Sequence, residues 1–291
     1  MPFGKFFDLL QEETIIAKRK INFQGLMIVF NIEVILSGIN YFKSAMLSKT
    51  YTKYIQSLHQ KKSRDTDGVF IGEGTKVVAE LLQTGVFLCK DILCTQKWLE
   101  SNEKLVSEYF AKTPQIIADF ELEKISALST PNEVLAIFEQ KERSTIDISG
   151  KLNLMLDTIQ DPGNLGTIIR IADWFGIENI ICANGTAEMY NPKVVQSTMG
   201  SIARVNIIYT DLAEWLSKNS KVKVYAAALN GADITTVEKI KEGVIIIGNE
   251  SKGISDALLK LADEKITIPR KGNAESLNAA VATGIILSHI C

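Results

Sequence analysis

The sequence is poor in the residues from which metal centres and charge-relay sites are built. It has two histidines and four cysteines in 291 residues. These are His59, His289, Cys89, Cys94, Cys182 and Cys291, with no Cys-x-x-Cys spacing and with the histidines far apart. Zinc sites need closely spaced ligands of these types, so we predict no metal site, and a Ser-His-Asp triad is also disfavoured. Cysteines without a pairing pattern fit a reducing compartment, and we expect a cytoplasmic protein.

Two common nucleotide-binding signatures are also missing. No Gly-x-Gly-x-x-Gly follows the first strand-like run, and no Gly-x-x-x-x-Gly-Lys-Ser/Thr loop occurs. The sequence therefore does not predict a standard dinucleotide-binding domain or a phosphate-loop enzyme. A net charge of -2 does not indicate nucleic-acid binding either, so any such function has to rest on local charge.

The first 45 residues differ in character from the rest of the chain. Residues 26–39 are mostly apolar but include Glu33, and a membrane-spanning helix needs about 20 apolar residues. No convincing signal-peptide cleavage pattern follows this run. We therefore predict no membrane span. We interpret residues 1–45 either as an added helix that docks on the body of the protein or as an extension upstream of a natural start at Met46.

From residue 46 onward, apolar runs that suit strands alternate with stretches that suit helices. This alternation predicts two α/β domains, at 46–140 and 151–291, joined by a polar linker at 141–150. The first should have strands at 69–71, 92–95 and 115–118, helices at 75–82 and 98–110, and short helical or loop elements at 120–128 and 131–138. The second should have strands at 152–156, 179–183, 205–209, 222–228, 244–247 and 266–268, and helices at 164–175, 192–199 and 212–218. These strands predict a parallel-type sheet with helices on both faces.

The segment 46–64 is locally basic. It contains Lys49, Lys53, Lys61, Lys62 and Arg64, has no acidic residue, and includes two tyrosines. Clustered cations with interleaved aromatic residues predict a surface that contacts the phosphates and bases of RNA. The same pattern also suits a solvated helix face, so the segment alone does not decide between the two.

Polar residues recur where the predicted strands of the second domain give way to helices. Asn164 and Arg170 follow the strand at 152–156, Glu250 follows the strand at 244–247, and Ser276 and Asn278 follow the strand at 266–268. Loops at the carboxyl ends of parallel strands line the ligand crevice of open α/β sheets. Singly, Asn164 and Ser276 could be helix caps, and Arg170 and Glu250 could be surface charges. Together they predict a ligand site in loops with few bulky side chains.

Three segments of the second domain resemble the signature motifs of the SpoU–TrmH family of RNA 2'-O-ribose methyltransferases, in the SPOUT superfamily. They read DPGNLGTIIRIADWFG, VIIIGNESKGIS and ITIPRKGNAESLNAAVATGI, and the resemblance covers residues 151–291. The basic start and VFIGEGTKVVAELL are similar, over roughly 46–140, to the ribosomal-protein-like RNA-binding domain that precedes the catalytic domain in many members. Residues 1–45 match no part of the family pattern.

The resemblance implies an α/β fold whose C-terminal segment is threaded into a deep trefoil knot, an arrangement nearly absent among other folds. It also implies S-adenosyl-L-methionine bound by the knotted loops, and a homodimer with its active sites near the interface. By position in the motifs, Arg170 would act on the ribose 2'-hydroxyl. The other catalytic residues would be Asn164, Glu250, Ser276 and Asn278, and the cofactor contacts would come from Leu229, Gly248, Ile268 and Leu277.

The expected function is therefore methyl transfer from S-adenosyl-L-methionine to a ribose 2'-hydroxyl of RNA. A separate N-terminal RNA-binding domain favours ribosomal RNA over transfer RNA by analogy alone. The alternatives are a transfer-RNA 2'-O-methyltransferase and a non-catalytic RNA-binding protein on the same fold. Because a guanidinium is always charged, Arg170 could stabilise a developing alkoxide instead of removing the 2'-hydroxyl proton, and the sequence leaves both roles open.

Overall fold

The computed structural model describes residues 46–141, 146–249 and 251–291. The predictions for residues 1–45 and for Glu250 lie outside these residues. Two sheets organise what is described: a four-stranded mixed sheet in the N-terminal part, residues 46–141, and a six-stranded parallel sheet in the C-terminal part, residues 146–291. The boundaries 46–140, 141–150 and 151–291 stay predictions.

The N-terminal sheet has the strand order β1-β4-β2-β3, and β4 is antiparallel to both of its neighbours. Its strands are β1 (Val69–Glu73), β2 (Cys89–Cys94), β3 (Gln115–Ile116) and β4 (Val134–Glu139). Its helices are α1 (Lys49–Ser57), α2 (Lys61–Asp67), α3 (Thr75–Thr84), α4 (Gln96–Tyr109) and α5 (Asp119–Ile125). The interpretation of residues 131–138 as a helical or loop element was wrong, because Val134–Glu139 is a central strand whose first five residues are all buried.

The C-terminal sheet has the strand order β10-β8-β9-β5-β6-β7, and every adjacent pair is parallel. Its strands are β5 (Leu152–Leu156), β6 (Asn179–Ala183), β7 (Asn206–Thr210), β8 (Val224–Asp233), β9 (Gly243–Ile247) and β10 (Glu264–Thr267). Its helices are α6 (Pro162–Trp174), α7 (Pro192–Thr198), α8 (Leu212–Lys218), α9 (Asp256–Leu261) and α10 (Ala279–Ile290), with 3-10 turns at Ser201–Ala203 and Ile234–Thr236. The predicted parallel sheet is confirmed, whereas the knot stays a prediction.

Helices cover both faces of the C-terminal sheet, which explains why its central strands are continuous apolar runs. All five residues of β5 and all five of β9 are buried. Ile168 of α6 and Leu287 of α10 pack in the cluster on one face, and Leu216 of α8 and Leu258 of α9 pack in the cluster on the other.

A ladder of three asparagines fixes the amino ends of β5, β6 and β7. The Asn179 Nδ2 atom donates to Asn153 Oδ1 at 2.9 Å, and Asn206 Nδ2 donates to Asn179 Oδ1 at 3.2 Å. Asn179 Nδ2 also donates at 2.9 Å to the carbonyl oxygen of Asp147, in the predicted linker. Buried amides are almost always hydrogen-bonded, and these bonds stabilise the amino end of the sheet. The loops that carry the predicted site residues lie at the opposite, carboxyl end.

Candidate active site

Four adjacent strands, in the order β10-β8-β9-β5, carry the predicted catalytic and cofactor-binding residues within them or just after them. Asn164 and Arg170 follow β5, Gly248 follows β9, and Ile268 follows β10. Leu229 lies in β8 where the register against β10 shifts, because Lys265 pairs with Ala226 but Ile266 pairs with Ala232. From β5 the chain first forms β6 and β7 on one side of β5, and it then crosses over to form β8, β9 and β10 on the other side. Open α/β sheets bind ligands where the strand order reverses in this way, which here is between β5 and β9.

The start of α6 differs in one respect from the sequence-based expectation. Asp161, not Asn164, is the N-cap residue, and its carboxylate accepts a hydrogen bond from the Asn164 N–H at 2.8 Å. That bond, together with Lys193, holds the pKa of the Asp161 carboxyl below its usual range. Pro162 in the first turn suits a helix start, where no backbone donor is needed. The predicted capping role of Asn164 was wrong, and its side chain is used elsewhere.

The side chain of Asn164 contacts Asn278, so the first and third motifs meet directly. Asn278 Nδ2 donates to Asn164 Oδ1 at 2.8 Å. Asn278 is also the N-cap of α10, and its Oδ1 atom accepts from the N–H groups of Ala280 at 2.9 Å and Val281 at 3.2 Å. The cap of α10 is therefore Asn278 and not Ser276, which is exposed in the preceding loop.

Arg170 projects from α6 into solvent, six residues after Asn164, or about 9 Å along the helix axis. Its neighbours Ile168 and Ile169 are fully buried, so the helix is held from behind by the core. Among the residues that the structure describes, the Arg170 guanidinium has no hydrogen-bond or ion-pair partner. It is therefore available to a ligand.

The loop after β9 is built around Asn249. Its backbone pairs with Gly253 through two hydrogen bonds of 2.9 and 3.0 Å, and its Nδ2 atom donates to the carbonyl oxygen of Thr158 at 2.8 Å. Asp157 Oδ2 accepts from the Ser255 N–H at 2.7 Å, which ties the same loop to the end of β5. A Cβ atom on Gly248 would lie 2.4 Å from the Gly253 carbonyl carbon, so only glycine fits there. Sequence reasoning missed Asn249 and Asp157, whose roles depend on contacts across the sheet.

The predicted cofactor-binding residues on the other two strands expose apolar surface. Leu229 is 70% exposed and Leu277 is 46% exposed, so both side chains are accessible to a ligand. The Thr267 hydroxyl donates to the Leu229 carbonyl oxygen at 3.2 Å, so the end of β10 and the bulged stretch of β8 are in contact. Ile268 packs, partly buried, against the main core.

The predicted RNA-binding residues do not form one uniform surface. Lys49, Lys53 and Lys62 are exposed, and Lys61 is exposed but forms an ion pair with Asp65. The Arg64 side chain is 1% exposed and forms an ion pair with Glu188. The prediction that Arg64 contacts RNA was therefore wrong, because its guanidinium lies inside the protein.

The tyrosines of this segment also have internal partners. The Tyr51 hydroxyl donates to Asp91, and its ring stacks on Tyr54 with centroids 5.8 Å apart. Burial and the hydrogen bond to Asp91 raise the pKa of Tyr51. In the parts of the chain described above, no group of histidine, cysteine and acidic residues could hold a metal ion, and no helix is long and apolar enough to cross a membrane.

Comparisons with known proteins agree with this arrangement. Residues 151–288 match the SpoU rRNA Methylase family, and residues 49–136 match the family described as MRM3-like substrate binding domain. The 23S rRNA (guanosine(2553)-2'-O)-methyltransferase RlmP of Bacillus subtilis is 30% identical over 238 residues, covering 81% of this chain and 93% of the relative. The chain belongs to the SpoU rRNA Methylase family.

Two solved structures share the fold over most of the chain. An AdoMet-bound rRNA methyltransferase from Sinorhizobium meliloti is 32% identical with a TM-score of 0.74, covering 84% of this chain and 96% of that one. The SpoU methyltransferase AviRb from Streptomyces viridochromogenes, solved in complex with AdoMet, is 25% identical with a TM-score of 0.72, covering 84% and 97%. The predicted enzyme class, an RNA 2'-O-ribose methyltransferase with a substrate-binding domain ahead of its SpoU domain, is confirmed.

Proposed function

We propose that this SpoU-family enzyme methylates a ribose 2'-hydroxyl of ribosomal RNA, uses S-adenosyl-L-methionine, and works as a cytoplasmic homodimer. The observation that carries the proposal is the hydrogen bond between Asn164 and Asn278. It joins the first and third motifs at the carboxyl edge of the sheet, through the helix that also carries the exposed Arg170. RlmP and the Sinorhizobium meliloti enzyme are both rRNA methyltransferases, which supports the choice of ribosomal RNA.

The residues at the ends of β8, β9 and β10 fit the proposed cofactor. Leu229 and Leu277 expose apolar side chains that the adenine ring could cover, and Gly248 lies in the closely packed turn after β9. Ile268 completes the set at the end of β10. Pockets of this kind are mostly apolar with a few polar groups that fix the orientation of the ligand. When bound, S-adenosyl-L-methionine would supply a methyl group that is already activated for transfer.

Arg170 is the residue that we propose acts on the ribose. We assign it an electrostatic role, in which its guanidinium stabilises negative charge on the 2'-oxygen as the hydroxyl proton departs. A guanidinium stays protonated at any working pH, so it is poorly suited to accept that proton. Asn164 and Asn278 hold the first turns of α6 and α10 together, and we retain Glu250 and Ser276 as catalytic candidates on their motif positions.

A second copy of this chain would cover exposed apolar side chains on α6 and α10, the two helices of the site. Trp174 ends α6 and is 84% exposed, and Val281 on α10 is 51% exposed. Arg170 and Trp174 are four residues apart in one helix, so they lie on the same face. A partner that buries Trp174 would therefore place Arg170 at the edge of the interface, as the family resemblance implies.

The test of this function is methyl transfer from labelled S-adenosyl-L-methionine to purified ribosomal RNA and, separately, to transfer RNA. We expect label in ribosomal RNA, with the modified ribose located by 2'-O-methyl mapping, and we expect transfer to continue in the presence of a chelator. Label in transfer RNA alone would support the alternative substrate. Cofactor or RNA binding without transfer to either RNA would support the non-catalytic reading.

A further inference from the structure

An ion pair between a buried arginine and a half-buried glutamate joins the N-terminal and C-terminal parts. Arg64 lies on α2, and Glu188 lies in the loop between β6 and α7. The Arg64 side chain is 1% exposed and the Glu188 side chain is 20% exposed. Arg64 Nη2 donates to Glu188, and Nη1 donates to the carbonyl oxygens of Leu58 at 2.9 Å and His59 at 3.0 Å. Removing one partner of such a pair leaves a buried charge uncompensated, so separating the two parts at this contact is unfavourable.

Tyr190 reinforces the same contact from the C-terminal part. Its N–H donates to the second carboxylate oxygen of Glu188 at 2.6 Å. Its ring stacks on Phe70 of the N-terminal sheet with centroids 4.7 Å apart, and meets Phe87 edge-on at 6.1 Å. Its hydroxyl both donates to and accepts from the backbone of Lys141, at 3.0 Å each. Contacts of such different geometry leave little freedom for the two parts to rotate against each other.

A second contact reaches the helix that carries Arg170. Arg204 donates to Glu80 of α3 at 2.9 Å and to Asp173 of α6 at 2.8 Å. Asp173 is three residues beyond Arg170 on α6. The backbones approach closely here, since a Cβ atom on Gly200 would lie 2.4 Å from the Glu80 Cβ. The N-terminal part is therefore connected through Arg204 to the end of the proposed catalytic helix.

We propose that Arg64 is a positioning residue that, with Glu188, locks the substrate-binding domain onto the catalytic domain in one orientation, and that this orientation determines which ribose reaches Arg170. The inference rests on the proposed function. RNA held on the exposed lysines of the N-terminal part can present a defined nucleotide to Arg170 only if the distance between the two surfaces is fixed. Small misplacements of reacting groups are costly even when the substitution is remote from the chemistry.

The test compares Arg64→Met and Glu80→Gln with Lys151→Met. Lys151 pairs with Glu178 inside the C-terminal part, so its loss should not affect the domain contact. Spin labels are placed at Lys104→Cys and Lys218→Cys, whose side chains are 88% and 69% exposed, in a Cys291→Ser background. Dilution into excess unlabelled protein restricts the signal to the distance between the two parts of one chain. Methyl transfer to ribosomal RNA is followed by mapping every 2'-O-methylated ribose, and cofactor affinity is measured separately.

We expect one narrow distance distribution in the parent and in Lys151→Met, and a broadened one in Arg64→Met. Arg64→Met should lose on the order of 10- to 100-fold in kcat at the target ribose, spread methyl groups to neighbouring riboses and keep its cofactor affinity. Glu80→Gln removes the partly exposed ion pair with Arg204, which is weaker, so kcat at the target ribose should fall by only about two- to fivefold. Arg64→Lys should recover part of the selectivity, because it restores the charge but not the second carbonyl contact.

A narrow distance distribution together with methylation of the same ribose in Arg64→Met would overturn the proposal. A smaller fraction of active Arg64→Met enzyme that still methylates only the parent's ribose would also overturn it. If Arg64→Met does not fold, Glu188→Gln decides, because it removes the charge that pairs with Arg64. Unchanged distances and selectivity in that variant would refute the lock. A parent enzyme that transfers no methyl group to RNA would refute the proposed function instead. The distance measurement would still show whether Arg64 fixes the orientation.

Discussion

At the scale of single residues, Arg170 is an exposed cation on a helix whose opposite side is packed into the core. We predict that Arg170→Ala lowers single-turnover methyl transfer by about 10²–10³-fold, the loss typical of removing one preorganised donor to a developing oxyanion. Cofactor affinity should change little, because the proposed cofactor contacts lie on β8, β9 and β10. Arg170→Lys should also be strongly impaired, since it keeps the charge but loses the planar fork.

The matched control for Arg170 is Lys218→Ala, which removes an exposed charge on α8, against the other face of the sheet. Its transfer rate and its cofactor dissociation constant should equal those of the parent. Near-normal turnover in Arg170→Ala would remove this residue from catalysis. Lost cofactor binding would instead assign it to the cofactor pocket.

Residue-level prediction from sequence failed where burial depends on a distant partner. Lys62 and Arg64 are two positions apart in the same basic run, yet Lys62 is exposed and Arg64 is buried. The difference comes from Glu188, which is 124 positions away along the chain. Local charge density predicts a cationic surface, but it cannot show which cation a later acidic residue withdraws from solvent.

At the scale of elements, the N-terminus of α10 has two separable functions in one side chain. Asn278 Oδ1 caps the helix, while Asn278 Nδ2 donates to Asn164. We predict that Asn278→Asp keeps the cap and a nearly unchanged melting temperature but loses methyl transfer, because a carboxylate cannot donate to Asn164 Oδ1. Asn278→Ala should lose both, with the free energy of unfolding lower by about 1 kcal/mol for the missing cap.

Thermal unfolding and single-turnover transfer measured on both Asn278 variants test this separation. The control is Asn191→Ala, which removes the cap of α7, an Asn side chain that accepts from the Lys193 N–H at 2.9 Å. The free energy of unfolding of Asn191→Ala should fall by about as much as that of Asn278→Ala, while its methyl-transfer rate should stay close to that of the parent. Normal transfer in Asn278→Asp would show that the amide donor of Asn278 is not needed for activity.

The elements themselves could largely be predicted, and the misses have physical causes. The strands at β5, β6 and β9 are short apolar runs between turn residues, and they lie where the pattern places them. The strand β4 was missed because a continuous run such as VLAIF has no period of two and is as compatible with a buried helix. The cap of α6 was misplaced because Asp161 and Asn164 are both good N-cap residues, and only the geometry selects Asp161.

At the scale of the whole molecule, the exposed lysines of the N-terminal part form the remaining candidate RNA surface. Lys49, Lys53 and Lys62 are exposed, and their side chains have no partner among the described residues. We predict that replacing all three by serine weakens RNA binding. The slope of the logarithm of the binding constant against the logarithm of salt concentration should become less steep by up to about 2, because each lost phosphate contact contributes about 0.7. The melting temperature should stay nearly constant, because surface substitutions rarely exceed about 0.5 kcal/mol.

A second triple variant removes the same charge from α4 and its surroundings: Lys97→Ser, Lys104→Ser and Lys112→Ser. These lysines are already engaged, by Glu133, by Glu108 and by the Lys90 carbonyl oxygen. Filter binding across a range of salt concentrations should therefore show a smaller change for this variant. Equal losses in the two variants would mean that RNA responds to net charge and not to a surface on α1 and α2.

The proposed homodimer depends on Trp174, whose 84% exposure leaves a large aromatic side chain without cover. In a two-fold symmetric interface the same residue is present on both copies, so Trp174→Glu brings two like charges onto that interface and removes two aromatic contacts. We predict that the dimer dissociation constant rises by at least about 30-fold, equivalent to ~2 kcal/mol, as for an interface hot spot.

Sedimentation equilibrium measures the dimer dissociation constant, and Leu88→Glu is the control, because Leu88 is 61% exposed but lies on the N-terminal part. Methyl transfer should fall together with the dimer fraction, since Arg170 is one helical turn from Trp174 on the same face. A parent protein that sediments as a monomer would refute the homodimer, and an unchanged dimer in Trp174→Glu would place the interface on another face.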